Sequence, residues 1–178
     1  KTAAERISAL DELFPYVKHD VKGTMAAMDG YPVTFRTLDP PLHEFVPTRV
    51  DEREKLASSL GISLDELNNR ADALHENNPM MGHRGVRLGI TYPEITEMQV
   101  RAIFEATAEL LQEGKKPFPE IMIPVTCHVN EINHQYEIVT KVHAEVCTKF
   151  GLKKIAHLTG TMIEIPRACL TADKIAET

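Results

Sequence analysis

Three charged side chains close runs that otherwise read as buried: Arg36 after "PVTF", Arg84 in "GHRG" and Glu164 in "GTMIEIP". An unpaired charge placed among apolar residues is costly, so each implies a partner. Two guanidiniums and one carboxylate at a common place suit an anionic substrate together with a divalent cation. Arginine grips carboxylate and phosphate through two parallel hydrogen bonds. A glutamate oxygen suits Mg2+, which takes one or two carboxylates and completes its shell with water and substrate oxygens. A plainer reading stands beside this one, in which Arg36 pairs with Asp39 and Arg167 pairs with Glu164 as structural ion pairs. For any one residue the two readings are level. Three such residues on separate strands, all at the same end, favour an anion site with a metal.

Other candidates carry less. The eight histidines show no HExxH spacing. His83, beside Arg84, reads first as a hydrogen-bonded structural residue and second as a substrate contact, and His43 in "PPLHEF" reads the same way. Cys127 follows an apolar run, has no identifiable activating partner, and reads as a buried, inert thiol. Gly82 and Gly85 allow close backbone packing around Arg84; they form no phosphate loop, because the GxxxxGK[ST] pattern is absent. The acidic stretch at 51–54 reads as a solvated helix face.

Composition narrows the classes. The formal net charge of −6 offers no basic footprint, so nucleic acid is not an expected partner. No apolar run approaches the roughly 20 residues that span a bilayer, and "KTAAERISALDELF" has no signal-peptide apolar region, so no membrane partner is expected. The three cysteines form no CxxC pair, which points to a reducing, intracellular setting, the cytoplasm or an organelle.

The elements that must hold these residues follow from periodicity. Thr2 and Glu5 form a capping box, and Ile7, Leu10, Leu13 and Phe14 follow helical spacing until Pro15 ends or interrupts it. A second short helix is expected over 17–28, then a turn at Asp29-Gly30. "YPVTFRTLD" reads as a strand with Val33 and Phe35 on one face and Thr34 and Arg36 on the other. After the Pro-rich "LDPPLHEFVPT" come helices over 51–60 and 64–77, the second capped by Ser63 with Glu66. "GHRGVRLGI" is expected to be a strand. A helix over 93–113 stops at Gly114, "EIMIPV" is a strand, a helix over 129–150 stops at Gly151, "HLTGTMIEIP" is the last strand, and "TADKIAET" opens one more helix. Alternating strands and helices predict an α/β fold with a parallel sheet. An open sheet would satisfy the order. Polar residues at the C-terminal ends of strands, and a chain that starts and stops among helices, favour part of a (β/α)8 TIM barrel, which needs about 250 residues when complete. The expectation is about four parallel βα units over 1–178, with a helical insert at about 48–78.

Five stretches, "LDPPLHEF", "NNPMMGHRGVRLG", "YPEITEMQVRAIFEA", "PEIMIPV" and "GTMIEIPRACLTADKIAE", give the chain a resemblance to the phosphoenolpyruvate (PEP)-utilising enzymes. Within them it is similar to the pyruvate, phosphate dikinases, in the C-terminal PEP/pyruvate-binding barrel. The resemblance runs the length of the chain. It implies that Arg36 and Arg84 hold the phosphate and carboxylate of PEP, and that Glu164 is one of two acidic Mg2+ ligands. It also implies a phosphotransferase that uses ATP, with a phosphohistidine on another domain of the same protein as partner and a homodimeric assembly. A further arginine, the second acidic ligand with an asparagine, and the cysteine that protonates the enolate carbon are expected outside these residues. On this reading the segment alone is inactive. PEP synthase and enzyme I of the sugar phosphotransferase system are the alternatives within the family. A non-catalytic scaffold segment is the alternative outside it.

Overall fold

A computed structural model describes residues 2–75, 78 and 82–178. The elements run α1 (Ala3–Ala27), β1 (Pro32–Arg36), a 3₁₀ turn (Leu42–Phe45), α2 (Val50–Leu60), α3 (Leu64–Leu74), α4 (Gly85–Thr91), α5 (Pro93–Gln112), β2 (Phe118–Ile123), α6 (Val129–Phe150), β3 (Leu158–Thr161), α7 (Pro166–Leu170) and α8 (Ala172–Ala176). They fall into two units: residues up to Asp39 with Gly85–Thr178, and Pro40–Arg84.

The first unit is α/β. Its three strands are parallel in the order β1-β2-β3. In register, Thr34 faces Glu120, which faces Leu158, and Arg36 faces Met122, which faces Gly160. Alternation then sorts the two faces. Pro119, Ile121 and Ile123 are buried on the helix side, with Phe35 packed against the same core. Thr34, Arg36 and Gly160 lie exposed on the opposite side. That is the facing expected of Val33 with Phe35 and of Thr34 with Arg36.

Helix α5 is the hub of this unit, packing on α1, α6 and β2. Residues 102–108 are buried without a break, and Phe104 is fully enclosed. Burying a side chain of that size contributes about 1.5–3 kcal/mol. The three alanines Ala102, Ala106 and Ala108 keep the helix slim enough for neighbours on several sides. Even its charge is used in packing: the carboxylate of Glu105, 5% exposed, takes Nζ of Lys149 at 2.6 Å from α6 and Nζ of Lys18 at 3.5 Å from α1.

Two expectations are corrected in this unit. Helix α1 runs unbroken through Pro15. Proline inside a helix removes one hydrogen bond and crowds the carbonyl four residues back, a cost of about 3 kcal/mol. Contacts to α5 on both sides of Pro15 outweigh it. Before the proline, Asp11 accepts from Arg101 at 2.9 Å, and the Arg101 guanidinium lies 4.3 Å from the Phe14 ring centre. After it, Lys18 and Lys22 donate to Glu109 at 2.8 and 2.9 Å. Burial works to raise the Glu109 carboxyl, but those two hydrogen bonds prevail and hold it below the ordinary carboxylate range.

The second correction concerns "GHRGVRLGI", which is helix α4 from Gly85 onward and not a strand. The described residues therefore hold three parallel strands, not four. The buried set is Gly85, Val86, Leu88 and Gly89, which is helical spacing. The glycines decide it. A Cβ on Gly89 would lie 2.6 Å from Oε1 of Gln135 and 2.7 Å from Oγ1 of Thr96, so α4 sits hard against that buried pair, which is hydrogen-bonded at 2.9 Å.

The second unit is helical among the described residues. Of the capping box predicted for Ser63 and Glu66 one half is formed: Ser63 accepts from the Glu66 N–H at 3.1 Å, while the Glu66 carboxylate pairs with Arg70. Arg53 ties α2 to α3 by donating to Oδ1 of Asn68 at 2.9 Å, and Ala57 and Leu67 are its buried apolar residues. Gly61, at φ 65°, makes the left-handed C-cap of α2. Helix α3 ends at Leu74, short of the predicted residue 77, because His75 turns to extended backbone as its C-cap; residues 76, 77 and 79–81 lie outside the described residues.

Candidate substrate and metal site

The C-terminal ends of the three strands carry the candidate chemistry. At the end of β1 the Thr37 N–H donates to the Met122 carbonyl at 3.0 Å, and the Leu38 N–H donates to Oε1 of Gln99 at 3.0 Å. The turn after Arg36 is thereby held. Nη1 of Arg36 reaches Oδ2 of Asp39 at 3.3 Å; the aspartate side chain is 6% exposed and that of the arginine 50%. The structural pairing read from the sequence is formed, and it leaves half of the arginine side chain accessible at the rim.

Glu164 does not sit in a buried strand. The ladder of β3 ends at Thr161, although the Met162 N–H still donates to the Ile123 carbonyl at 3.2 Å. Glu164 follows in an exposed turn. Its charge is compensated locally: Oε1 accepts the main-chain N–H of Val125 at 2.7 Å. Such a charge-assisted bond is stronger than a neutral one. The alternative pairing with Arg167 is not formed among the described residues, and no protein group among them is bonded to Oε2.

Arg84 is the last residue of the second unit, and its N–H donates to the Gly82 carbonyl at 3.0 Å. It precedes a helix, and no strand ends there. Of the three predicted residues, Arg36 ends the outer strand β1 and Glu164 follows the end of the other outer strand, β3, by three residues.

Around them, the loop after β2 is packed tightly. The Val86 N–H donates to the Pro124 carbonyl at 3.0 Å. Thr126 is fully buried, and its Oγ1 has no partner among the described residues. Cys127 is half-buried; burial pushes its thiol up, the Glu131 carboxylate adds to this, and Arg87 and Arg167 work weakly the other way. A raised thiol is a poor nucleophile, in keeping with the inert role read for it. Oε2 of Glu131 meanwhile accepts from the N–H groups of Cys127 and His128 at 2.8 and 3.0 Å, completing a capping box with His128 as N-cap of α6. In the second unit the His43 ring lies 5.7 Å from that of His75, and its buried Nδ1 finds no hydrogen-bond partner among the described residues. The hydrogen bond expected of it is not formed at that nitrogen.

Among the described residues no three His, Cys, Asp or Glu side chains converge to hold a metal. Glu164 supplies one hard oxygen donor with a second oxygen unspent by the protein. That donor set fits a Mg2+ ion that shares its shell with water and substrate oxygens, and does not fit a self-contained protein cage.

The class is set by the whole chain: it is a member of the PEP-utilising enzymes, matching their PEP-binding domain over residues 2–178. It is 50% identical over 174 residues to "Pyruvate, phosphate dikinase 1, chloroplastic" of Oryza sativa subsp. japonica, covering 97% of this chain and 18% of that protein. With "Pyruvate, phosphate dikinase" of Clostridium symbiosum it shares 50% over 173 residues, 97% of this chain and 20% of that protein. With "Pyruvate, phosphate dikinase 2" of Zea mays it shares 49% over 178 residues, 99% and 20%. The chain thus spans about a fifth of the length of these relatives. No helix among the described residues is long and apolar enough to cross a membrane.

Proposed function

We propose that this chain is the PEP/pyruvate-binding part of a pyruvate, phosphate dikinase, the central part of a (β/α)8 barrel with a helical insert at about 48–78. The observation that carries the reading is the Glu164 carboxylate, tethered by one oxygen to Val125 at the sheet end that also bears Arg36, in a chain that matches the family throughout. Arg36 and Arg84 bind the phosphate and carboxylate of PEP and orient the phosphoryl group for transfer. Phosphoryl transfer is governed mainly by positioning and by neutralisation of charge, which guanidiniums supply. Asp39 pairs with Arg36 at 3.3 Å and limits where its guanidinium points. Glu164 would be a ligand of Mg2+. Mg2+, when bound, supplies Lewis-acid neutralisation of negative charge on the three-carbon acid. The phosphoryl donor or acceptor is a phosphohistidine on another domain of the same protein, charged from ATP, and the intact protein is a homodimer of the cytoplasm or an organelle.

The test is Arg84→Lys in the intact protein. An ammonium is a point charge and cannot reproduce a bidentate grip. The variant is expected to unfold at the parent's temperature while PEP turnover falls by about 10²-fold. Unchanged kinetics would remove Arg84 from the site. Phosphate-dependent formation of pyrophosphate by the parent separates a dikinase from a PEP synthase or an enzyme I.

A further inference from the structure

Val125 is the single non-glycine residue with a positive φ, 66°, among the described residues. A β-branched side chain is a genuine outlier in that region, and such a conformation persists only where the surroundings over-determine it. Three contacts do so here. The carbonyl just before Val125, that of Pro124, accepts the Val86 N–H at 3.0 Å. Gly85 lies flat against the turn: a Cβ there would come within 2.6 Å of Cγ2 of Val125 and 2.9 Å of the Pro124 oxygen. The third is the bond from the Val125 N–H to Glu164. Strand β3 is drawn to the same place, since Oγ1 of Thr161 donates to the Ile123 carbonyl at 2.7 Å.

From this we infer that Val125 is the positioning residue for Glu164. Its left-handed turn presents a main-chain donor that captures Oε1, so that Oε2 is the oxygen offered to a divalent cation. An exposed glutamate otherwise samples many rotamers, and a tethered one presents its free oxygen in one place. The inference rests on the reading of Glu164 as a metal ligand, and deepens it by naming the group that orients the ligand. Partners of this kind, outside the ligand itself, typically change metal affinity by about 10–100-fold.

The test is Mn2+ binding to the intact protein, followed by electron paramagnetic resonance without substrate. Glu164→Gln identifies the signal that belongs to this site. Replacing Val125 by its α-hydroxy acid, which turns the amide into an ester and deletes the N–H alone, is expected to weaken that Mn2+ site about 10-fold or more. Val125→Gly keeps the donor, adopts the same φ freely, and is expected to stay near the parent. Gly85→Ala displaces the turn from its other side and is expected to weaken Mn2+ as the ester does. If Glu164→Gln removes the signal while the ester and Gly85→Ala both bind Mn2+ like the parent, the positioning role is overturned and the metal reading stands. If Glu164→Gln leaves all Mn2+ binding intact, both fall.

Discussion

At the scale of single residues, charge is neutralised close to where it sits. Glu164 takes a main-chain N–H, Arg36 takes Asp39, and Glu105 takes two lysines. The residue types of the candidate site were legible because charges at the ends of apolar runs demand compensation. The tether to Val125 was not, because nothing in "IPVTC" marks a valine for a left-handed backbone that sequence rules reserve for glycine and asparagine. Nor was the histidine pair at the other end of the sheet. The rings of His143 and His157 lie 4.9 Å apart, both near the edge of Phe104. His157 bonds the Ile155 carbonyl at 3.0 Å. Burial pushes His157 below the ordinary histidine range; the bond to Ile155 opposes this, and the neighbouring His143 and Lys154 add to it. The unfolded chain therefore binds a proton at His157 in a window below about pH 6.5 where the folded chain does not. Stability is full above that window and falls as pH drops through it. His157→Phe should flatten the acid side of a plot of unfolding midpoint against pH; an unaltered slope would assign the acid sensitivity to other groups.

At the scale of elements, periodicity located α5 and α6 to within a residue or two. Helix α6 ends at the predicted Gly151, which takes φ 65° as C-cap, and α1 opens on the predicted Thr2–Glu5 box. The errors share one cause. Pro15 and the glycine-flanked "GHRGVRLGI" run are local signals, and packing overruled both: α1 is held to α5 on either side of its proline, and α4 is pressed by its glycines onto Gln135 and Thr96. The helical state at Pro15 makes a quantitative prediction. Pro15→Ala restores a hydrogen bond and relieves the clash, and should stabilise the protein by about 1–3 kcal/mol, read as a higher midpoint in urea. A loss of stability would mean that the proline shapes a bend that α5 needs.

At the scale of the molecule, an α/β fold with a parallel sheet was legible from the order of elements, and the count of strands was not. The sheet has two outer strands, each paired on one side only, and its open face carries Arg36. With one candidate carboxylate donor and no converging set of metal donors among the described residues, these 178 residues alone are expected to bind PEP with Mg2+ too weakly for calorimetry to detect, whereas the intact protein should show clear heat. Measurable binding by the segment alone would mean the site is complete within it. The parallel register has a further consequence for synthesis. Thr34 and its partner Glu120 are 86 residues apart, so at about 5–20 residues per second a ribosome exposes β1 for roughly 4–17 s before the strand that pairs with it is made. Val33 and Phe35 spend that interval without their strand partners Pro119 and Ile121, with α1, through Met25, as the cover already made.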